Sequence, residues 1–141
     1  MVDSVHAAAD GAWDARGLTR KQLGDLGEAI AGRYLESRGY QIVERSWRCR
    51  EGEADLVAID PGTGCVVLAE VKTRRAARSD DPWPEDAVDR AKRRRYRRIA
   101  ACYAMERFPV RCIRFDVIAI VVRGPSDAEI RHYVDVVDWE R

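Results

Sequence analysis

The sequence predicts a mixed α/β domain whose helices cover a central sheet, with elements in the order α-β-β-β-α-β-β. Three observations carry that prediction. Two long stretches repeat apolar residues at helical spacing, at Leu23, Leu26, Ile30, Tyr34 and Leu35 and again at Val88, Tyr96, Ile99 and Tyr103, with Lys92 on the second stripe. Two short apolar runs flank the turn Pro61-Gly62-Thr63-Gly64, the signature of a β-hairpin. A third apolar run, Ile113 to Val122, is strongly β-like and follows the second helix.

Thr19-Arg20-Lys21-Gln22 has the form of a capping box and opens a helix over about 20–38, with Gly39 at its C′ position. A strand follows near 40–48, and the hairpin strands fall near 54–60 and 65–72. Residues 73–84 read as a polar loop holding Pro82 and Pro84. The second helix is expected from Glu85 to Phe108, with Glu85, Asp86 and Asp89 complementing its dipole and Pro109 ending it. After the 113–122 strand, Gly124-Pro125-Ser126 turns the chain into a last strand near 129–137.

At 141 residues the chain is one domain in size. Residues 1–18 are expected to be a loose tail and 19–141 the folded unit. Hydrophobic residues make up 46% and charged residues 35%, and no apolar run approaches the ~18 residues of a membrane span. The first residues lack the apolar core of a secretion signal, so a cytoplasmic protein is expected. The four cysteines form no C-x-x-C pair and are expected to be reduced thiols. His6 and His132 share no motif and read as ordinary tail and strand residues.

The hairpin carries the chemistry. Centred on Gly62 and Thr63, it places residues whose numbers sum to 125 opposite one another, so Asp55 faces Glu70 and Glu53 faces Lys72. Like charges directly opposed on neighbouring strands destabilise a sheet. A hard divalent cation between Asp55 and Glu70 removes that objection, and the Val71 carbonyl is a candidate third ligand. Glu70 and Lys72 share a face, which sets an ammonium beside the site. Glu53 with Lys72 as a plain cross-strand ion pair is the competing reading. Glu28, next to Gly27 and near Gly24 in the first helix, either reaches the hairpin acids as a further ligand or is a solvated surface residue. The two glycines imply a close approach to that helix by the sheet or by a ligand.

Net charge is +1, yet basic residues are concentrated. Seven of the nine residues from Arg90 to Arg98 are basic, and Lys72 to Arg78 adds four more. Lys92, Arg93, Arg94, Arg97, Arg98 and Arg74 are the candidate phosphate contacts. Nothing presents a base-reading pattern, so binding is expected to follow backbone and shape.

Taken together, Gly27-Glu28, Ala31, Tyr34-Leu35, Gly39-Tyr40, Gly52-Glu53 with Asp55-Leu56-Val57-Ala58, Glu70-Val71-Lys72-Thr73-Arg74, Pro84-Glu85, Ala87-Val88, Lys92 and Arg114-Phe115-Asp116-Val117 resemble the bacterial YraN family. The resemblance runs from about residue 23 to 137. That family is similar to the restriction-endonuclease-like superfamily, which includes archaeal Holliday-junction resolvases. The resemblance implies the PD-(D/E)xK fold, with Asp55, Glu70 and Lys72 at its catalytic positions and Glu28 matching the helix glutamate of the resolvases. Ala54 stands where the superfamily has proline.

The expectation is therefore a Mg²⁺- or Mn²⁺-dependent endonuclease acting on structured or branched DNA. Asp55, Glu70, Val71 and Glu28 would hold metal, and Lys72 would orient water. A homodimer is expected by analogy with the resolvases, whose substrate is two-fold symmetric. The alternatives are a nucleic-acid-binding module that does not cut, and a protein-interaction adaptor.

Overall fold

The computed structural model describes residues 2–8 as backbone, and residues 17–75, 89–124 and 127–137. The elements are β1 (Val2–Ala8), α1 (Arg20–Ser37), β2 (Gln41–Cys49), β3 (Gly52–Ile59), β4 (Val66–Arg75), α2 (Arg90–Glu106), β5 (Ile113–Val122) and β6 (Asp127–Tyr133). They form one six-stranded sheet in the order β1-β6-β5-β4-β3-β2. Among the described strands only β4 and β5 run parallel, and α2 lies on the crossover between them. A mixed α/β architecture with helices on the sheet is thus the fold. None of the described helices is long and apolar enough to cross a membrane.

Local chemistry fixes the helix ends. Gln22 N donates to Thr19 Oγ1 at 3.1 Å and Thr19 N to Gln22 Oε1 at 2.9 Å, the reciprocal pair of a capping box. Gly39, at φ +88°, follows the C-cap Arg38. The second helix starts later than Glu85. Asp89 is extended and caps the Lys92 N–H at 3.0 Å, so it precedes the helix instead of lying inside its first turn. Of the expected loop 73–84, residues 73–75 instead continue β4, while 76–84 and Val88 lie outside the described residues.

Two apolar layers sandwich the sheet. On one face α1 buries Leu23, Ile30, Ala31, Tyr34 and Leu35 against Leu56, Ala58, Ala69, Ile118 and Ile120. On the other, α2 buries Tyr96, Ile99 and Tyr103 against Trp47, Val57, Leu68, Phe115 and Val117. β5 is covered on both faces, and Phe115 to Val122 is buried throughout. A side chain such as Ile118 or Phe115 contributes about 1.5–3 kcal/mol by that burial.

Two further expectations about the fold are corrected. Val2–Ala8, expected as part of a loose tail, pairs antiparallel with β6 as an edge strand. The free edge of β6 supplies the unpaired backbone groups that recruit it. Cys65 and Cys112, expected as reduced thiols, are joined as a disulfide with Cα atoms 4.7 Å apart. The reason is the parallel register. Val66 pairs with Ile113, so the residues just before them lie side by side. Cys49 and Cys102 are free.

His132 is a strand residue of β6, as expected, and a buried one. It is 2% exposed, with Nε2 2.7 Å from Asp116 Oδ2 and Nδ1 3.0 Å from the Tyr34 hydroxyl. Asp116 is fully buried and also accepts from Arg114 and from the Asp135 N–H. Arg114 in turn pairs with Asp60 and donates to the Tyr40 hydroxyl. Every partner of the buried carboxylate is thereby satisfied, as burial of a charge requires.

Candidate functional site

The hairpin register is the expected one at its closed end. Ile59 pairs with Val66, Ala58 with Val67, Val57 with Leu68 and Leu56 with Ala69. There the ladder stops. One residue further, Asp55 Oδ2 accepts the backbone N–H of Val71 at 2.7 Å, so a side chain replaces the next ladder bond.

A local reversal of the strand faces puts Asp55 in that position. Alternation would send Ala54, Leu56 and Ala58 to one face. Leu56 and Ala58 do pack on the α1 side, but Ala54 packs on the α2 side. The neighbouring strand reverses at the same place. Arg45 lies against Gly32 of α1, whereas Trp47 packs on the α2 side. Between them Ser46 takes φ +53°, the left-handed region that side chains seldom enter. Ser46 and Asp55 are the step without a pair between Arg45 with Leu56 and Trp47 with Ala54. Asp55 lies at that unpaired step. Its carboxylate turns toward the β4 backbone, between the two faces.

Charges gather around Asp55 from both sides. Burial pushes its pKa up to about 6, and Glu28, Glu53 and Glu70 push in the same direction, while the Val71 N–H opposes them. Glu28 is raised as well, by burial and then by Asp25 and Glu53. Glu28 of α1 is half-buried and lies close enough for its charge to act on Asp55. Gly27, beside it, packs directly on β4, where an added Cβ would overlap the Thr73 hydroxyl. The close approach read from the glycines is that of the sheet at Gly27, whereas a Cβ on Gly24 would meet nothing within 4 Å.

Glu70 and Lys72 lie on the α2 side. The Tyr96 hydroxyl donates to Glu70 Oε2, and Arg95 Nη2 lies 3.6 Å from Glu70 Oε1. Burial lowers the Lys72 pKa, with Lys92 and Arg95 adding to the effect and Glu70 opposing it. Lys72 and Lys92 thus meet at the start of α2. Glu53, expected opposite Lys72, instead pairs with Arg48 across β2 at 3.6 Å. The strands have parted by that point, which corrects the cross-strand ion-pair reading.

Of the other basic candidates, Arg93 and Arg94 are exposed and make no ion pair among the described residues. Arg97 is half-buried, and Arg98 pairs with Glu51 at 3.2 Å. Arg74 is half-buried, and its Nε and Nη2 have no hydrogen-bond partner among the described residues. Sequence reasoning assigned Tyr96 to the core and did not single out Arg95. Their link to Glu70 had one legible sign, the i, i+4 spacing of Lys92 and Tyr96.

Among the described residues no three His, Cys, Asp or Glu side chains converge to cage a metal ion. The donor set suits a hard cation held by fewer protein ligands and by water. It comprises the Asp55 and Glu70 carboxylates and the Val71 carbonyl, which leaves the strand on the same edge as the N–H that Asp55 binds. A cation there would offset both the burial and the neighbouring carboxylates that raise Asp55.

Comparison with known proteins agrees with this reading of the chain's kinship. The model of the uncharacterised protein family UPF0102 matches residues 27–120. A UPF0102 protein of Arthrobacter sp. (strain FB24) is 42% identical over 113 residues, covering 78% of this chain and 91% of that one. Another, from Mycolicibacterium smegmatis, is 43% identical over 122 residues, covering 84% and 95%. With the match running from Gly27 in α1 through the hairpin and α2 into β5, the chain belongs to the UPF0102 family, the YraN family that its motifs resemble.

Proposed function

We propose that this protein is a metal-dependent nuclease that hydrolyses phosphodiester bonds in DNA, with structured or branched DNA as its substrate and a restriction-endonuclease-like fold. The observation that carries the reading is Asp55. A carboxylate is turned out of the strand alternation into a cluster of acids, next to a glutamate and a lysine that share the facing strand. Such an arrangement costs stability, and a bound cation would offset that cost.

Asp55, Glu70 and the Val71 carbonyl would bind Mg²⁺ or Mn²⁺, with Glu28 assisting from α1. The ion would supply Lewis acidity toward the scissile phosphate. Lys72 places a compact positive charge beside Glu70, where it orients a water and offsets charge growing on the phosphate. Lys92 extends that positive surface to α2, and Arg93, Arg94, Arg97, Arg98 and Arg74 continue it for neighbouring phosphates.

Purified protein incubated with Mg²⁺ or Mn²⁺ and duplex, single-stranded or four-way-junction DNA tests the proposal. Cleavage that disappears in Asp55→Ala and Glu70→Ala is the expected result. Cleavage that survives both substitutions belongs to a contaminant. Salt-sensitive binding without cleavage under any metal would make the protein a binding module instead.

A further inference from the structure

Glu70 is held from α2 by a residue that is itself fixed. Tyr96 is 1% exposed, and its ring stacks on Phe115 with centroids 4.3 Å apart and planes 12° apart. Core packing therefore sets where its hydroxyl lies, and that hydroxyl donates to Glu70 Oε2. An ionised carboxylate only accepts, so the phenol is the donor of that bond. Arg95 approaches the other oxygen, and its guanidinium lies 5.5 Å from the Tyr96 ring centre. A carboxylate oxygen has two lone pairs, so one O–H donor orients Glu70 without exhausting it.

We propose that Tyr96 is a positioning residue whose hydroxyl fixes the Glu70 carboxylate for a divalent cation shared with Asp55. The inference rests on the nuclease reading above. A ligating carboxylate that loses its hydrogen-bond partner samples other rotamers, and loss of such an outer partner weakens metal binding by about 10- to 100-fold.

The same helix supplies a control. The Tyr103 hydroxyl donates to Glu44 Oε2 at 2.8 Å, and its ring meets Trp47 edge-on at 5.0 Å. Tyr103→Phe thus removes a similar hydroxyl–carboxylate bond away from Asp55. Mn²⁺ binding is measured by electron paramagnetic resonance of the free ion on wild type, Tyr96→Phe, Tyr103→Phe and Glu70→Gln, with melting temperatures alongside. Phe at either position retains the ring packing.

The expected result is Mn²⁺ binding weakened about 10- to 100-fold in Tyr96→Phe and unchanged in Tyr103→Phe. Equal affinity in Tyr96→Phe and wild type overturns the positioning role and leaves the metal site standing. Equal weakening in both tyrosine variants also overturns it, since general loosening of α2 would then be the cause. If wild type binds Mn²⁺ no better than Glu70→Gln, the nuclease reading itself fails, and the role of Tyr96 with it.

Discussion

Asp55 Oδ2 takes the Val71 backbone N–H at 2.7 Å, so a carboxylate stands where the β3 backbone would have continued the ladder. The hairpin is opened at that point by the paired reversal at Ser46 and Asp55. The consequences can be measured one by one.

Asp55 should weaken the fold at neutral pH. Its folded pKa, about 6, lies above its unfolded value. Between about pH 4 and 6 the folded state holds the extra proton, so stability falls as pH rises through that window and stays lower above it. Asp55→Asn retains an acceptor for the Val71 N–H and removes the charge. Urea unfolding at pH 8 should show it about 1–2 kcal/mol more stable than wild type, allowing for solvent screening, with the gain gone near pH 4.

Two glycines three residues apart should respond in opposite directions. A Cβ on Gly24 meets nothing within 4 Å, so Gly24→Ala should stabilise α1 by about 0.5–1 kcal/mol. A Cβ on Gly27 would overlap Thr73, so Gly27→Ala should cost about 1–3 kcal/mol. Thermal melting distinguishes the signs, and Thr73→Gly should restore most of the loss in Gly27→Ala.

The Arg114–Asp116–His132 cluster should act as a structural anchor. Asp116→Ala leaves Arg114 and His132 without their shared acceptor in the interior. A loss of about 3–5 kcal/mol is expected by denaturant titration. Lys21→Ala, which breaks only an exposed pair with Asp25, should change stability by less than about 0.5 kcal/mol.

DNA retardation at several salt concentrations should separate the arginines. Arg93→Ala and Arg94→Ala, at exposed positions with no ion pair among the described residues, should each flatten the log–log salt dependence by about one unit. Arg98→Ala should have a smaller effect, because Arg98 is already engaged by Glu51.

Much of this was legible in the sequence, and the exceptions share a cause. The turn residues 61–64 fixed the hairpin register, and the Thr19–Gln22 pattern fixed the start of α1, because both are local signals. The reversal at Ser46 left no trace, since serine is not a residue that announces a left-handed backbone. His132 with Asp116 and Tyr34, and Cys65 with Cys112, meet only through the tertiary pairing of distant strands and helices. Tyr96 looked like core because it is core. That its hydroxyl also reaches Glu70 depends on how α2 lies across β4.

The central claim is that Asp55 and Glu70 can share one doubly charged ion. Crystals soaked in Mn²⁺ and measured at a wavelength where manganese scatters anomalously test it most directly. The account predicts a single anomalous peak within bonding reach of Asp55, Glu70 and the Val71 carbonyl oxygen. An ordered crystal that shows no peak there, at a Mn²⁺ concentration that supports cleavage in solution, would contradict it.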